Sequence, residues 1–147
     1  METTLTEKEI RKQEHEKRKS VETSVKEILS SEEITLRNDL AKIKALLIIY
    51  QFQTDEEQKR NGTVENNGIG FTAFDGEVLS SMARNLYEYK SLTDNQMKVV
   101  RKGIKKYWKQ ISIIALQGKT FSNIERFIET WKEKNKTRYN QTQIKFS

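Results

Sequence analysis

Ser30 and Glu33, Thr54 and Glu57, Thr93 and Gln96, and Ser122 and Glu125 each set a serine or threonine three residues before a glutamate or glutamine. In that pattern each side chain satisfies the other residue's free backbone N–H, which marks the first turn of a helix. Apolar residues then recur at steps of three and four, the spacing of a helix face packed on another helix. After Ser30 these are Ile34, Leu36, Leu40, Ile43, Leu47 and Tyr50. After Thr93 they are Met97, Val100, Ile104, Tyr107, Ile111 and Ile114, with Gln117-Gly118 as a stop. After Ser122 they are Ile124, Phe127, Ile128 and Trp131. A further face, Phe71, Phe74, Val78, Leu79, Met82, Leu86 and Tyr87, has Thr72 or Asp75 ahead of it as a cap. No proline interrupts any of these stretches. The pattern predicts an all-α fold, a compact bundle of four to five helices, with residues 34–50, 74–89 and 95–116 helical. Ile111 to Leu116 is rich in β-branched residues and would suit a strand, but the seam of segment four runs through it.

The organisation expected is a polar, partly exposed and frayed N-terminal helix (1–30), a helical core domain (31–131) and a basic flexible tail (132–147). From Glu7 to Lys19 the only large apolar residue is Ile10, and the helix-spaced charge pairs Glu7 with Arg11 and Glu14 with Arg18 add only tenths of a kcal/mol each. Val21, Val25, Ile28 and Leu29 then form a short stripe. Lys59 to Gly70 reads as a loop, because Asn61-Gly62 and Asn66-Asn67-Gly68 are turn sequences. Asn67, Gly68, Gly70, Phe71 and Asp75 are its structural residues, with positive φ expected at Gly68 and Gly70.

The chain has no cysteine, which removes disulfides, thiolate zinc sites and thiol nucleophiles. Its one histidine, His15, sits in a run of charged residues and reads as an exposed helical side chain. The start lacks a basic stretch followed by an apolar run, so no secretory signal is expected. The longest apolar stretch, Ala45 to Tyr50, is far too short to span a membrane. A cytoplasmic protein without membrane contact is the expectation. Asp55, Glu56, Glu57 and Glu65, with Asp75 and Glu77 downstream, contain enough carboxylates for a magnesium site of the kind nucleases use. Their positions just after caps match instead helix N-terminal acids that complement the macrodipole. No metal, cofactor or catalytic residue is expected.

Charge divides the chain. The net charge is +6, but residues 98–147 carry +10 and residues 1–97 carry −4. From Lys98 to Lys109 there are six basic residues and no acid. Lys98, Arg101, Lys102, Lys105 and Lys109 fall at steps of three and four, Lys106 lies beside them, and Trp108 is interleaved where it could stack on a base. Lys132, Lys134, Lys136 and Arg138 extend the basic set. Basic residues on one helix face with an aromatic among them point to a nucleic-acid partner. A solvated face or an acidic protein surface would also use such a stripe.

Gln53-Thr54-Asp55-Glu56-Glu57, then Asn66-Asn67-Gly68-Ile69-Gly70-Phe71-Thr72-Ala73-Phe74-Asp75, then Leu92-Thr93-Asp94-Asn95-Gln96 and Lys106-Tyr107-Trp108-Lys109-Gln110 follow an order that resembles a small module of phage and mobile-element proteins. That module occurs beside or fused to helicase-like replication proteins. The resemblance covers about 60 residues, Gln53 to Gln110. It implies a phage origin and a DNA-metabolism setting, and no mechanism. The resulting expectation is a non-catalytic accessory protein that binds DNA or RNA or a host nucleoprotein complex. The alternative is a protein-binding inhibitor of a host nuclease or defence complex, similar in role to an anti-CRISPR protein.

Overall fold

The computed structural model describes residues 4–59 and 69–144. These residues are all-helical, with no strand among them: α1 (Glu7–Ser30), α2 (Leu36–Lys59), α3 (Ala73–Tyr89), α4 (Asp94–Ile104), a 3-10 turn (Lys105–Tyr107), α5 (Trp108–Leu116) and α6 (Ser122–Ile144). None of the helices is long and apolar enough to cross a membrane. α2 is the central helix and packs against each of the other five. Its Ile43, Leu46, Leu47 and Ile49 are wholly buried.

The caps divide into those that the sequence places correctly and those that it does not. Thr93 and Gln96 form the reciprocal box: the Gln96 N–H donates to the Thr93 hydroxyl at 3.2 Å, and the Thr93 N–H to Gln96 Oε1 at 2.9 Å. Thr72 caps α3, accepting from the Asp75 N–H. Ser30, by contrast, lies in the last turn of α1 and bonds back to the Lys26 carbonyl. The hydroxyl that caps α2 is that of Thr35, which accepts the Asn38 N–H at 3.1 Å. Ile34 therefore precedes the helix and is 61% exposed, not part of the core. Thr54 starts nothing: its hydroxyl donates to the Tyr50 and Gln51 carbonyls, both at 3.0 Å, and α2 runs on to Lys59. Glu125 reaches across to Lys44 of α2 instead of folding back on Ser122.

Segment four is not one helix. The 3-10 turn at Lys105–Tyr107 separates α4 from α5. Steps of three occur in α and 3-10 geometry alike, so periodicity cannot detect a turn this short. Each 3-10 residue advances about 120° against about 100° in an α-helix, so three of them rotate the following face by about 60°. Gln117 and Gly118 end α5 as expected, with Gly118 the one described glycine at positive φ, 67°. Gly70 does not have positive φ, and a Cβ there would stand in ordinary contact with Gln53, 3.6 Å from Oε1. Its backbone conformation does not require glycine. Asn67 and Gly68 lie outside the described residues.

The two ends of the chain also differ from each other. In α1 every residue from Glu7 to Ser20 is exposed. Only Val21, Val25, Ile28 and Leu29 pack inward, against α5 and α2. His15 is exposed, with Nδ1 3.4 Å from Arg18. Deleting residues 2–19 should leave a single cooperative unfolding transition, with the midpoint shifted by no more than about 3 °C, since exposed side chains contribute little to stability. A molten or insoluble deletion product would show that the segment is part of the core. The C-terminal end is different. α6 continues through Lys132 as far as Ile144, over the stretch where a tail was expected from residue 132. Asn135 is buried, donating to the Trp131 carbonyl at 2.8 Å, and Tyr139 packs on Trp131 with ring centroids 6.3 Å apart.

Candidate nucleic-acid interface

Part of the motif meets in space, namely Gln53, residues 70–75, Tyr107 and Gln110, whereas Thr93 and Gln96 bond each other at the start of α4. Gln110 of α5 grips Gly70 on both sides, accepting its N–H at 3.0 Å and donating to its carbonyl at 3.1 Å. Gln53 of α2 accepts the Phe71 N–H at 3.0 Å. Tyr107 of the 3-10 turn accepts the Thr72 N–H at 3.0 Å and donates its hydroxyl to Asp75 at 2.7 Å. Phe71 sits edge-on to the Tyr107 ring, centroids 5.5 Å apart. Three side chains from three elements thus satisfy the backbone that leads into α3. The two glutamine amides work because each can donate and accept at once. Asp75 also pairs with Lys106. The bond to the Lys106 ammonium holds the Asp75 carboxyl below the usual carboxylate range, and the same bond raises the Lys106 pKa. An aspartate committed to a lysine, a tyrosine and its own cap has a structural role here.

Arg101 also turns inward. Its Nε and Nη2 donate to the two oxygens of Asp39 at 2.9 and 2.7 Å. Asp39 is wholly buried, and the Tyr139 hydroxyl donates to it as well. The ion pair joins α2, α4 and α6. The bond to Asp39 raises the Arg101 pKa, while burial raises that of the Tyr139 phenol. Nearby Lys42 is almost fully buried, donating to the Ser31 carbonyl at 2.6 Å, and burial lowers its pKa.

The other basic residues fall into three groups. Lys98 and Lys102 of α4 are exposed and have no ionic partner among the described residues. Lys105 is half-buried, 3.9 Å from Glu32, and Lys106 is on Asp75. Trp108 is half-buried against the core, with the Lys26 and Lys109 ammonium groups over its ring at 5.1 and 5.5 Å. The stripe expected from the sequence is therefore divided, and Lys109 and Trp108 lie past the turn. On α6, Lys134 donates to the Tyr89 carbonyl at 3.0 Å, and Arg138 donates to the Leu92 carbonyl at 3.1 Å and pairs with Asp94. These two staple the α3–α4 connection. Lys136 pairs with Glu133 at 2.8 Å, and Lys132 is half-buried.

Phe74 is not on the inner face of α3, where the apolar pattern predicts it: it is 91% exposed. At about 100° per residue, Phe74 lies about 140° from Leu79, which is buried; a helical projection separates the two where a tally of apolar residues does not. Among the described residues, no group of three His, Cys, Asp or Glu side chains is placed to hold a metal. Asp55 and Glu77 are exposed, and the side chains of Glu56, Glu57 and Glu65 lie outside the described residues. A cavity of about 540 Å³ between α1, α2 and α5 is lined mainly by carbon, with the Lys44–Glu125 pair among its few polar groups. No family model, curated protein or solved structure matches this chain.

Proposed function

We propose that the chain is a non-catalytic accessory protein of a phage or mobile element that binds nucleic acid, or a complex that handles it, through the outward lysines of α4. The observation that carries this reading is the pair Lys98 and Lys102: one helical turn apart, exposed, and without an acidic partner among the described residues. Ammonium groups left in solvent at helical spacing fit a phosphate backbone, where each contact releases condensed counterions. The convergence of the motif residues on one clamp supports a unit that holds α3 and α4 rigidly behind that surface.

The experiment is capture from host lysate on immobilised protein, with and without nuclease treatment. Nucleic acid in the captured fraction, and loss of co-captured proteins after nuclease, are expected. A protein retained at moderate salt after complete nuclease digestion would favour the inhibitor reading instead.

A further inference from the structure

The α3–α4 hairpin leaves both apolar and basic side chains exposed. The two helices run antiparallel: Lys106 meets Asp75 near one end, and a Cβ at Gly103 would come within 3.0 Å of Leu79 further along. Both helices rest on α2. α3 buries Leu79, Ser80, Ala83 and Leu86, and α4 buries Met97, Val100 and Ile104. The opposite side of each helix therefore looks outward. On α3 that side carries Phe74, 91% exposed, Val78, 49% exposed, and half-buried Met82. On α4 the exposed basic residues are Lys98 and Lys102; Lys106 lies in the 3-10 turn and pairs with Asp75. Phe74 and Val78 stand four residues apart on α3, as Lys98 and Lys102 do on α4, about 6 Å along each axis, and the two helices run in opposite directions.

We infer that this face is a platform for single-stranded nucleic acid, with Phe74 stacking on a base and the lysine row following the phosphates; the inference rests on the nucleic-acid reading above. A phenylalanine ring held out in solvent offers nothing to the backbone of a duplex, whose bases are already stacked. It does offer a π-face to the unstacked base of a single strand, whatever that base is. Phe74 is also firmly placed, since its neighbours Thr72 and Asp75 are both bonded to Tyr107. The charge beside it complements phosphate. The face holds five side chains, well short of the roughly 20–30 residues per side of a standard protein interface. Trp108, the aromatic singled out in the sequence, already has Lys26 and Lys109 over its ring.

The test uses the full chain with a fluorescent mixed-sequence oligonucleotide, single-stranded and annealed, titrated at low salt. Phe74→Ala should weaken single-strand binding about 5- to 100-fold, the range of one lost base stack, and leave duplex binding within about twofold. Phe74→Tyr should restore it. Lys98→Glu with Lys102→Glu should weaken both. Thermal melting of each variant should match wild type, because the substituted side chains are exposed. Wild-type affinity for the single strand in Phe74→Ala, with nucleic-acid binding itself intact, overturns the platform and leaves the broader reading standing. No saturable binding of either form by wild type overturns both.

Discussion

Arg101→Met should cost about 3–5 kcal/mol of folding stability, the penalty for stranding one partner of a buried ion pair. Asp39 is wholly buried and takes two bonds from Arg101. Without the guanidinium its charge keeps the Tyr139 hydroxyl as its nearest donor. Lys at this position should recover only part of the loss, since an ammonium cannot make the two parallel bonds. Replacing both partners, Asp39→Leu with Arg101→Met, should recover most of it, because the uncompensated charge is then gone. Urea unfolding of the four proteins measures this. A single Arg101→Met variant within about 1 kcal/mol of wild type would show that the pair carries little. The consequence for function is direct: a substitution at Arg101 will impair any binding activity through the fold, so it is a poor probe of the basic surface.

Ending the chain at Lys132 should be about as damaging, on the order of 3 kcal/mol or more. It removes the Tyr139 bond to a charged acceptor, worth about 1.5–3 kcal/mol, and uncovers Trp131, which is 1% exposed in the intact chain. It also removes the Lys134 and Arg138 bonds to the Tyr89 and Leu92 carbonyls. Calorimetry should show a midpoint lowered by many degrees, or no cooperative transition. An unchanged midpoint would mean that the last turns of α6 only rest on the surface. Removal of residues 2–19 should have almost no effect, although both end segments are rich in charge.

That contrast shows what the sequence could convey. The apolar seams of α2, α4 and α6 were legible, because burial imposes a period near 3.6 and the residues that obey it are large. The reciprocal Thr93–Gln96 cap was legible for the same local reason. Ser30 and Thr54 carry the same pattern yet bond to preceding carbonyls, since a hydroxyl inside a helix has that second option. What decides between the two is tertiary packing, which a four-residue pattern does not contain. Charge was the least legible property. Arg101 and Lys102 are adjacent and look alike in a sequence, but one meets an aspartate 62 residues away and the other meets water. The same holds for Gln53, Tyr107 and Gln110. Their order in the chain was noticeable, while their shared grip on residues 70–72 depends on three elements arriving together. Phe74 was misplaced because a count of apolar residues ignores angle.

The most direct measurement is the salt dependence of single-strand affinity for wild type and for Lys98→Glu with Lys102→Glu. Five contacts, as the undivided stripe suggested, would give a log–log slope near −3.5 on a single strand. With Arg101, Lys105 and Lys106 paired with Asp39, Glu32 and Asp75 and Lys109 beyond the turn, two contacts from Lys98 and Lys102 should give a slope of about −1.4. The double variant should bring the slope close to zero, with the loss of affinity concentrated at low salt. A wild-type slope indistinguishable from that of the variant, or no saturable binding at the lowest salt, would contradict the assignment of the α4 lysines to a phosphate backbone.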